Sequence, residues 1–322
     1  MIALAKKSIR AFLRVMHRVS AELDRSYLNQ EISRTYPPVF ILGAPRSGTT
    51  LLYQLLMSAF TFSYIPNISN TFYMCPITAV RFGRRWCKNY QSSFTSTFGH
   101  EHGCMAPSEA GNIWNRWFPY EKREGYNYTP KDFLSNASRQ DIYRFVAHVE
   151  NMFRAPFLTK NVKMSVRIPA LHEIFPDALY IHIQRDPVQA ATSLLRIRRK
   201  LNKSWWSVLP KDYQKIINKP DAEQVCYQVY YTENDIAEDL TLIDSSRIFK
   251  LQYEQLCQTP VEHLDGIYQF FGKNNCITDY QPHLVPSEFN ASTSSQERLN
   301  DHDLITIQQT IKKLFREKEF GG

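Results

Sequence analysis

A glycine-bounded loop near the start of the chain constrains the fold more than any other feature. Residues 39–42 read Val-Phe-Ile-Leu, the loop runs from Gly43 to Gly48, and a leucine-rich segment begins at Thr49. An unbroken apolar run of this length is typical of a strand buried on both faces. Strand, G-x-x-x-x-G loop and helix together form a phosphate-binding unit, because the loop and the helix N-terminus aim backbone N–H groups at one anion.

The loop departs from that of nucleoside triphosphatases at one position. The triphosphatase motif has a lysine after its second glycine, and here Thr49 and Thr50 follow instead. The only cation is Arg46, between Pro45 and Ser47 inside the loop. An arginine there can reach a bridging phosphate oxygen, and the threonines add hydroxyl donors. A nucleotide kinase or other phosphoryl transferase, the main alternative enzyme, is therefore disfavoured.

Apolar and amphipathic segments alternate along the rest of the chain. This alternation predicts an α/β fold with a P-loop-like, doubly wound parallel sheet and helices on both faces. Beyond the first strand and helix, we expect strands near 157–162, 178–183 and 247–251, and helices near 138–153, 188–200, 222–240 and 260–271. We divide the chain into a basic amphipathic N-terminal helix, 1–36, and one domain, 37–322, in which an aromatic-rich insertion at about 60–130 builds the acceptor site.

A second motif follows the strand predicted at 178–183. It reads Arg185-Asp186-Pro187, and Ser193 comes eight residues after the arginine. The arginine at the strand end offers a fork of donors, and the serine lies on the next helix, so both can hold one phosphate. Asp186 and Pro187 suit the N-cap and first position of that helix, which is a sufficient explanation for the motif taken alone.

Together the two motifs resemble those of the sulfotransferases that use 3'-phosphoadenosine 5'-phosphosulfate (PAPS), in particular the bacterial or carbohydrate-type branch. The family's 5'-phosphosulfate loop reads P-[R/K]-S-G-T-T, and its 3'-phosphate site is an R-D-P segment with a later serine. The resemblance implies transfer of a sulfuryl group from PAPS to a hydroxyl or amine of a glycan, glycolipid or secondary metabolite. It also implies that no metal is needed and that the donor is bound by Pro45, Arg46, Ser47, Gly48, Thr49, Thr50, Arg185 and Ser193.

The resemblance also implies a catalytic base on the segment after the first helix, and a cation for the leaving phosphate. Arg46 is the candidate cation. His100, His102 and Glu109 are the candidate bases, and the sequence does not separate them: a histidine titrates near neutral pH, whereas the glutamate lies in a P-x-E segment typical of bacterial relatives. Lys160 and Lys163 are candidates for a donor contact, with a surface position as the equal alternative. The R-K-G-x-x-G segment of the small-molecule enzymes is absent, so the residues that hold the adenine are not identified.

Charge and composition bear on partners and location. The net charge of +8 favours anionic ligands. Basic residues are dispersed rather than interleaved with aromatics on one module, so we expect no nucleic-acid partner and disfavour a non-catalytic binding protein. Six scattered cysteines without a C-x-x-C pair favour reduced thiols and a cytoplasmic protein without a metal site. Residues 2–28 favour either packing on the domain or peripheral contact with an anionic membrane. The oligomeric state is not readable.

Overall fold

The computed structural model describes residue 19 and residues 21–87, 90–95, 101–118, 127–289 and 299–319. Its centre is a sheet of four parallel strands in the order β2-β1-β3-β4. The strands are β1 (Val39–Leu42), β2 (Leu158–Lys160), β3 (Leu179–Gln184) and β4 (Ile248–Gln252). Each overlaps its predicted segment, so the predicted parallel α/β sheet is confirmed.

Helices connect and cover these strands. They are α1 (Thr49–Ala59), α2 (Asn67–Thr71), α3 (Pro76–Trp86), α4 (Gly111–Trp114), α5 (Asn136–Phe153), α6 (Ile168–Ile174), α7 (Pro187–Lys200), α8 (Asp221–Asp239), α9 (Tyr253–Gln258), α10 (Pro260–Lys273) and α11 (Asp301–Glu319). Residues 21–28 are also helical, and a 3₁₀ turn, Val162–Val166, follows β2. The long predicted helices begin and end within two residues of their expected positions.

The sheet is buried on both faces because its side chains alternate between two apolar cores. Phe40 and Tyr180 point to one face, where α5, α6 and α8 pack. Ile41 and Ile181 point to the other face, where α1, α9 and α10 pack. All four side chains are almost completely buried. This accounts for the unbroken apolar runs in β1 and β3, since a strand covered on both faces has no polar side.

The strand order places a crevice at one end of the sheet. The chain passes from β1 outward to β2 and then returns across β1 to β3, so the connections leaving β1 and β3 run to opposite sides. Ligands of doubly wound folds bind at such a switch point, outside the carboxyl ends of the strands. The Gly43–Gly48 loop follows β1 and Arg185 follows β3, so the two sequence motifs meet there.

Only the end of the predicted N-terminal helix, 1–36, lies within the described residues. The helical segment 21–28 is attached to α3 through Asp24, a buried carboxylate. Asp24 accepts backbone N–H bonds from Ile77 at 2.7 Å and from Thr78 at 2.9 Å, and therefore caps the start of α3. Within the described part of the chain, no helix is long and apolar enough to cross a membrane.

The cysteines differ from expectation at one pair. Cys87 and Cys104 form a disulfide with their Cα atoms 6.2 Å apart, so the prediction of reduced thiols throughout is wrong for these two. Sequence spacing did not suggest the pair because Cys87 follows the end of α3 and Cys104 lies on a separate loop. The remaining cysteines, Cys75, Cys226, Cys257 and Cys276, are buried.

Candidate active site

The loop after β1 is shaped by two glycines that have no room for a side chain. A Cβ on Gly43 would lie 2.4 Å from Ser47 Oγ and 2.6 Å from the Ile183 carbonyl oxygen. Gly48 has φ 97°, and a Cβ there would lie 2.1 Å from the ring of Tyr253. The loop is thus pressed against the sheet on one side and against Tyr253 on the other, in a path that only glycine permits.

Helix α1 begins directly after this loop without a side-chain cap. Gly48 occupies the N-cap position, so the first-turn N–H groups receive no hydrogen bond acceptor from a side chain. Ser47 Oγ is buried and has no hydrogen bond partner in the described structure. Uncapped N–H groups, an orphaned hydroxyl and a positive helix end are the arrangement that an anion satisfies. The predicted phosphate loop therefore has donors suited to an anion.

The two sequence motifs are joined through Arg46. Its backbone is left-handed, with φ 69°. Its Nε donates to Ser193 Oγ at 3.0 Å, and its carbonyl oxygen accepts from Arg185 Nη1 at 3.1 Å. Arg185 also lies over the Tyr253 ring, 4.5 Å from its centroid. Ser193 thus contacts the loop arginine, and the motifs form one basic site.

Burial and the neighbouring guanidinium of Arg185 lower the pKa of Arg46. Two cations this close repel each other, and an anion placed between them removes the repulsion. The pair of arginines is therefore suited to a multiply charged anion.

A partly buried carboxylate that the sequence did not single out supports the loop from behind. Glu233, on α8, accepts the Ala44 N–H at 3.1 Å and a bond from Gln184 Nε2 at 3.1 Å, and it lies 3.0 Å from His182 Nε2. Burial raises the pKa of Glu233, but the bonds from His182, Gln184 and Ala44 outweigh burial, and the net shift is downward. His182 is a buried residue of β3, and its contact orients the carboxylate that holds the loop.

Lys160, at the end of β2, links the phosphate loop to a candidate base. Only 1% of its surface is exposed. Its ammonium donates to Thr50 Oγ1 at 3.0 Å and forms a short ion pair with Glu109. Asn161 fixes the backbone of the same glutamate, because its Nδ2 donates to the Glu109 carbonyl oxygen at 2.8 Å. Glu109 is therefore linked to the phosphate loop through a single side chain, that of Lys160.

A second carboxylate near the site was not predicted. Glu101 is buried and accepts a hydrogen bond from Tyr90 Oη. Burial raises its pKa, while bonds from Tyr90 and Gln54 and the charge of Lys160 oppose the shift. The buried hydroxyl of Tyr53 lies within the electrostatic range of both Glu101 and Glu109. Two carboxylates, Glu109 and Glu101, therefore lie within the influence of the Lys160 charge.

The histidines predicted beside Glu109 are placed differently. His102 is exposed, next to buried Glu101. His100 lies outside the described residues. On the other side of Glu109, burial and the charge of Arg167 lower the pKa of Lys163, while Glu109 opposes the shift. Lys163 is thus part of the same charge cluster. No group of His, Cys, Asp and Glu suited to a metal ion occurs among the described residues.

Fold and site together define a class: an α/β protein of the sulfotransferase fold with a phosphate loop at its sheet switch point. Comparison with known proteins agrees. A model described as "Sulfotransferase family" matches residues 37–274, which is most of the chain. The chain therefore belongs to the sulfotransferase family, whose enzymes are PAPS-dependent.

Individual relatives are distant. The chain is 25% identical over 297 residues to omega-hydroxy-beta-dihydromenaquinone-9 sulfotransferase Stf3 of Mycobacterium bovis, covering 85% of this chain and 72% of the relative. The protein of the same name from Mycobacterium tuberculosis matches to the same extent. Among solved structures, sulfotransferase STF9 from Mycobacterium avium is similar with a TM-score of 0.52 and 19% identity, over 95% of this chain and 81% of that one. The structural match supports the fold.

Proposed function

We propose that this protein transfers a sulfuryl group from PAPS to a hydroxyl of a small-molecule acceptor, with the donor held by the Gly43–Thr50 loop and Arg185. One observation carries the proposal: Arg46, in a phosphate loop that lacks the triphosphatase lysine, is joined to both Arg185 and Ser193 at the switch point of the sheet. Two phosphate-binding motifs that meet through one arginine suit a donor with phosphate at both its 3' and 5' positions.

In this proposal each group of residues binds a different part of the donor. When bound, PAPS supplies a sulfuryl group whose bond to the bridging phosphate oxygen breaks as the acceptor oxygen attacks sulfur. The first-turn N–H groups of α1 and the hydroxyls of Thr49 and Thr50 hold the 5'-phosphate. Arg46 stabilises the charge that develops on the leaving phosphate. Arg185 faces the 3'-phosphate.

We propose Glu109 as the base that takes the acceptor proton. Its carboxylate contacts Lys160, and Lys160 contacts Thr50 of the phosphate loop. Its side chain is also 28% exposed, which leaves an oxygen within reach of an acceptor. Glu101 is more deeply buried and is engaged by Tyr90, so we assign it to shaping the acceptor side. Exposed His102 is the alternative base.

For the acceptor we propose a narrower class of molecule than sugars or metabolites in general. The relative named above acts on a menaquinone that carries an omega-hydroxyl, as its name states. In this chain Tyr90 donates a hydrogen bond to Glu101, and the buried hydroxyl of Tyr53 lies near both Glu101 and Glu109. Aromatic side chains with polar tips suit an apolar molecule that ends in a hydroxyl. A lipid-like alcohol is therefore the favoured acceptor, ahead of a glycan or glycolipid.

Binding of 3'-phosphoadenosine 5'-phosphate, the desulfated donor, tests the donor site. We expect micromolar affinity by calorimetry for the unmodified protein and at least roughly tenfold weaker binding for Arg46→Ala and for Arg185→Ala, since each removes a charge-assisted bond. Arg25→Ala is the matched control, because Arg25 is exposed and its one ion pair among the described residues is with Glu22. Failure of the unmodified protein to bind, together with binding of ATP, would replace the proposal with a kinase.

A further inference from the structure

The outward face of α3 carries aromatic and cationic side chains side by side. Phe82 and Trp86 leave 60% and 78% of their surface exposed. Arg81 and Arg85 are also exposed. Each pair is four residues apart, so the two aromatic rings form one stripe along the helix and the two arginines form the adjoining stripe. We refer to these four residues as the α3 patch.

The orientation of this helix is fixed by its buried face. Ile77 and Val80 are almost completely buried. A Cβ on Gly83 would lie 2.8 Å from Met105 Sδ, so the helix backbone packs directly against the loop that contains Met105. The aromatic stripe therefore faces outward because the opposite side of α3 is already packed, and the exposed rings have no place in the core.

The sequence around the patch carries positive charge. Every charged residue between Glu31 and Glu101 in the sequence is basic. Among the described residues, Arg81, Arg84 and Arg85 form no salt bridge. Arg84 instead lies 4.8 Å from the centre of the Phe153 ring. The positive charge of α3 is thus not neutralised locally and faces the solvent beside the exposed rings.

The neighbouring helical segment 21–28 continues the apolar stripe. Arg81 lies 5.5 Å from the centre of the Tyr27 ring. Leu23, four residues before Tyr27, occupies the same side of that segment and is 52% exposed. Because Asp24 caps α3, this segment and α3 are held together as one surface. All the charged residues that come before Glu22 in the sequence are basic.

We propose that the α3 patch docks the protein on an anionic membrane surface. Tryptophan and phenylalanine favour the level of the lipid headgroups, and arginines beside them bind lipid phosphates. The patch is a ridge of protruding side chains rather than a groove, which suits insertion among headgroups better than capture of a peptide segment. The proposal does not depend on sulfuryl transfer, because a membrane surface recognises only the ring and charge pattern.

Docking in this way would bring the acceptor side of the protein to the lipid. The disulfide joins Cys87, directly after Trp86, to Cys104, and Glu101 lies three residues before that cysteine. The same loop supports Tyr64, whose hydroxyl donates to the Met105 carbonyl oxygen at 2.8 Å. The patch and the acceptor loop are therefore neighbours. This consequence rests on the proposed function, whereas docking itself does not.

Vesicle co-sedimentation of the full chain tests docking. We expect binding to phosphatidylcholine vesicles that contain about a third phosphatidylglycerol, and roughly tenfold weaker binding to phosphatidylcholine alone or at high salt. The double variant Arg81→Glu with Arg85→Glu should reduce binding to the neutral-vesicle level. Lys250→Glu with Lys273→Glu changes the charge equally at two other exposed positions and should retain binding.

The aromatic part is tested separately. Phe82→Ala with Trp86→Ala should weaken vesicle binding by roughly tenfold, because the variant lacks the two rings that would be buried in the membrane surface. Ile277→Ala with Leu284→Ala is the control, because both residues are exposed elsewhere, at 72% and 51%. Trp86→Phe should still bind but lose the blue shift of tryptophan fluorescence that vesicles induce in the unmodified protein.

Several results would overturn the proposal. One is absence of binding to anionic vesicles, and another is equal binding by the patch variants and the controls. Loss of binding only when basic residues before position 19 are reversed would move the anchor to the N-terminus. Concentration-dependent dimers that disappear in Phe82→Ala with Trp86→Ala would make a second copy of the chain the occupant. Binding of 3'-phosphoadenosine 5'-phosphate, measured on the same variants, separates these outcomes from failure of the donor site.

Discussion

Replacement of Lys160 by methionine tests the link between the phosphate loop and the proposed base. The side chain is buried, and its ammonium contacts both Thr50 and Glu109. Methionine preserves the unbranched apolar stem and removes the charge, so packing around β2 changes little. The substitution therefore isolates the electrostatic contribution of this one ammonium group.

The expected losses of activity and stability follow from the contacts that Lys160→Met removes. Loss of one preorganised donor in an active site lowers kcat by about 10²- to 10³-fold. Glu109 keeps 28% of its side chain in contact with solvent, so water compensates part of the lost ion pair and the cost to stability is smaller than for a fully buried pair. We expect a loss of about 10²-fold in kcat/KM with a melting temperature lowered by only a few degrees.

The assay is sulfuryl transfer to a lipid-like alcohol, in a cycle that combines Lys160→Met with Glu109→Gln. Because the two side chains contact each other and serve one step, the double variant should be little slower than the slower single variant. Glu101→Gln and His102→Asn are measured in the same assay, because each removes another titratable side chain near the site. Only the variant that lacks the base should lose the rise of kcat/KM with pH.

Two results would refute this reasoning. Lys160→Met with kcat/KM within about twofold of the unmodified protein would show that the ammonium has no part in transfer. Strictly additive losses would show that Lys160 and Glu109 act independently. A pH dependence that survives in Glu109→Gln and disappears in His102→Asn would transfer the role of base to the histidine.

Two further predictions concern the loop and the helix behind it. Gly48→Ala should weaken binding of 3'-phosphoadenosine 5'-phosphate by at least roughly tenfold in calorimetry, because a Cβ 2.1 Å from Tyr253 must displace the ring or the loop. Burial and the charge of Asp239 raise the pKa of Asp235 to about 7, so the folded protein favours the protonated acid. Ionisation therefore costs stability as pH rises from about 4 to about 7, on the order of a few kcal/mol in full. Asp235→Asn, which can still accept the Lys211 N–H, should flatten that decline in thermal melts; an unchanged slope would contradict the assignment.

The sequence was informative wherever local physics decides the structure. β1 and β3 are unbroken apolar runs because both faces of the sheet are covered, and the loop glycines are required by contacts within a few ångströms. These features are encoded within short windows, so the strands, the phosphate loop and the second motif were predictable from periodicity and motif. The disulfide and the short helices between residues 60 and 118 depend on packing between distant segments and were not.

The residues that sequence analysis missed share a cause. Glu233 lies in the middle of α8 and Glu101 lies in an irregular loop, and neither belongs to a motif with fixed spacing. Each becomes significant only because the fold brings it to a site more than forty residues away in sequence, as with Glu233 and Ala44. A buried carboxylate on a helix that otherwise packs on a sheet is the signal that a three-dimensional structure reveals and a one-dimensional pattern does not.

The support behind Arg46 explains why so many polar groups converge on one short loop. A non-glycine residue at φ 69° is strained, at a cost of about 1 kcal/mol or more, and persists only when its surroundings hold it. Ser193 holds the side chain, Arg185 holds the carbonyl oxygen, and Glu233 holds the preceding Ala44 N–H. The free-energy cost of the strain and of the repulsion between the two arginines thus arises during folding rather than during binding. An anionic donor that meets a loop already in its binding conformation loses less affinity to reorganisation, which is the advantage of placing the arginine inside the loop.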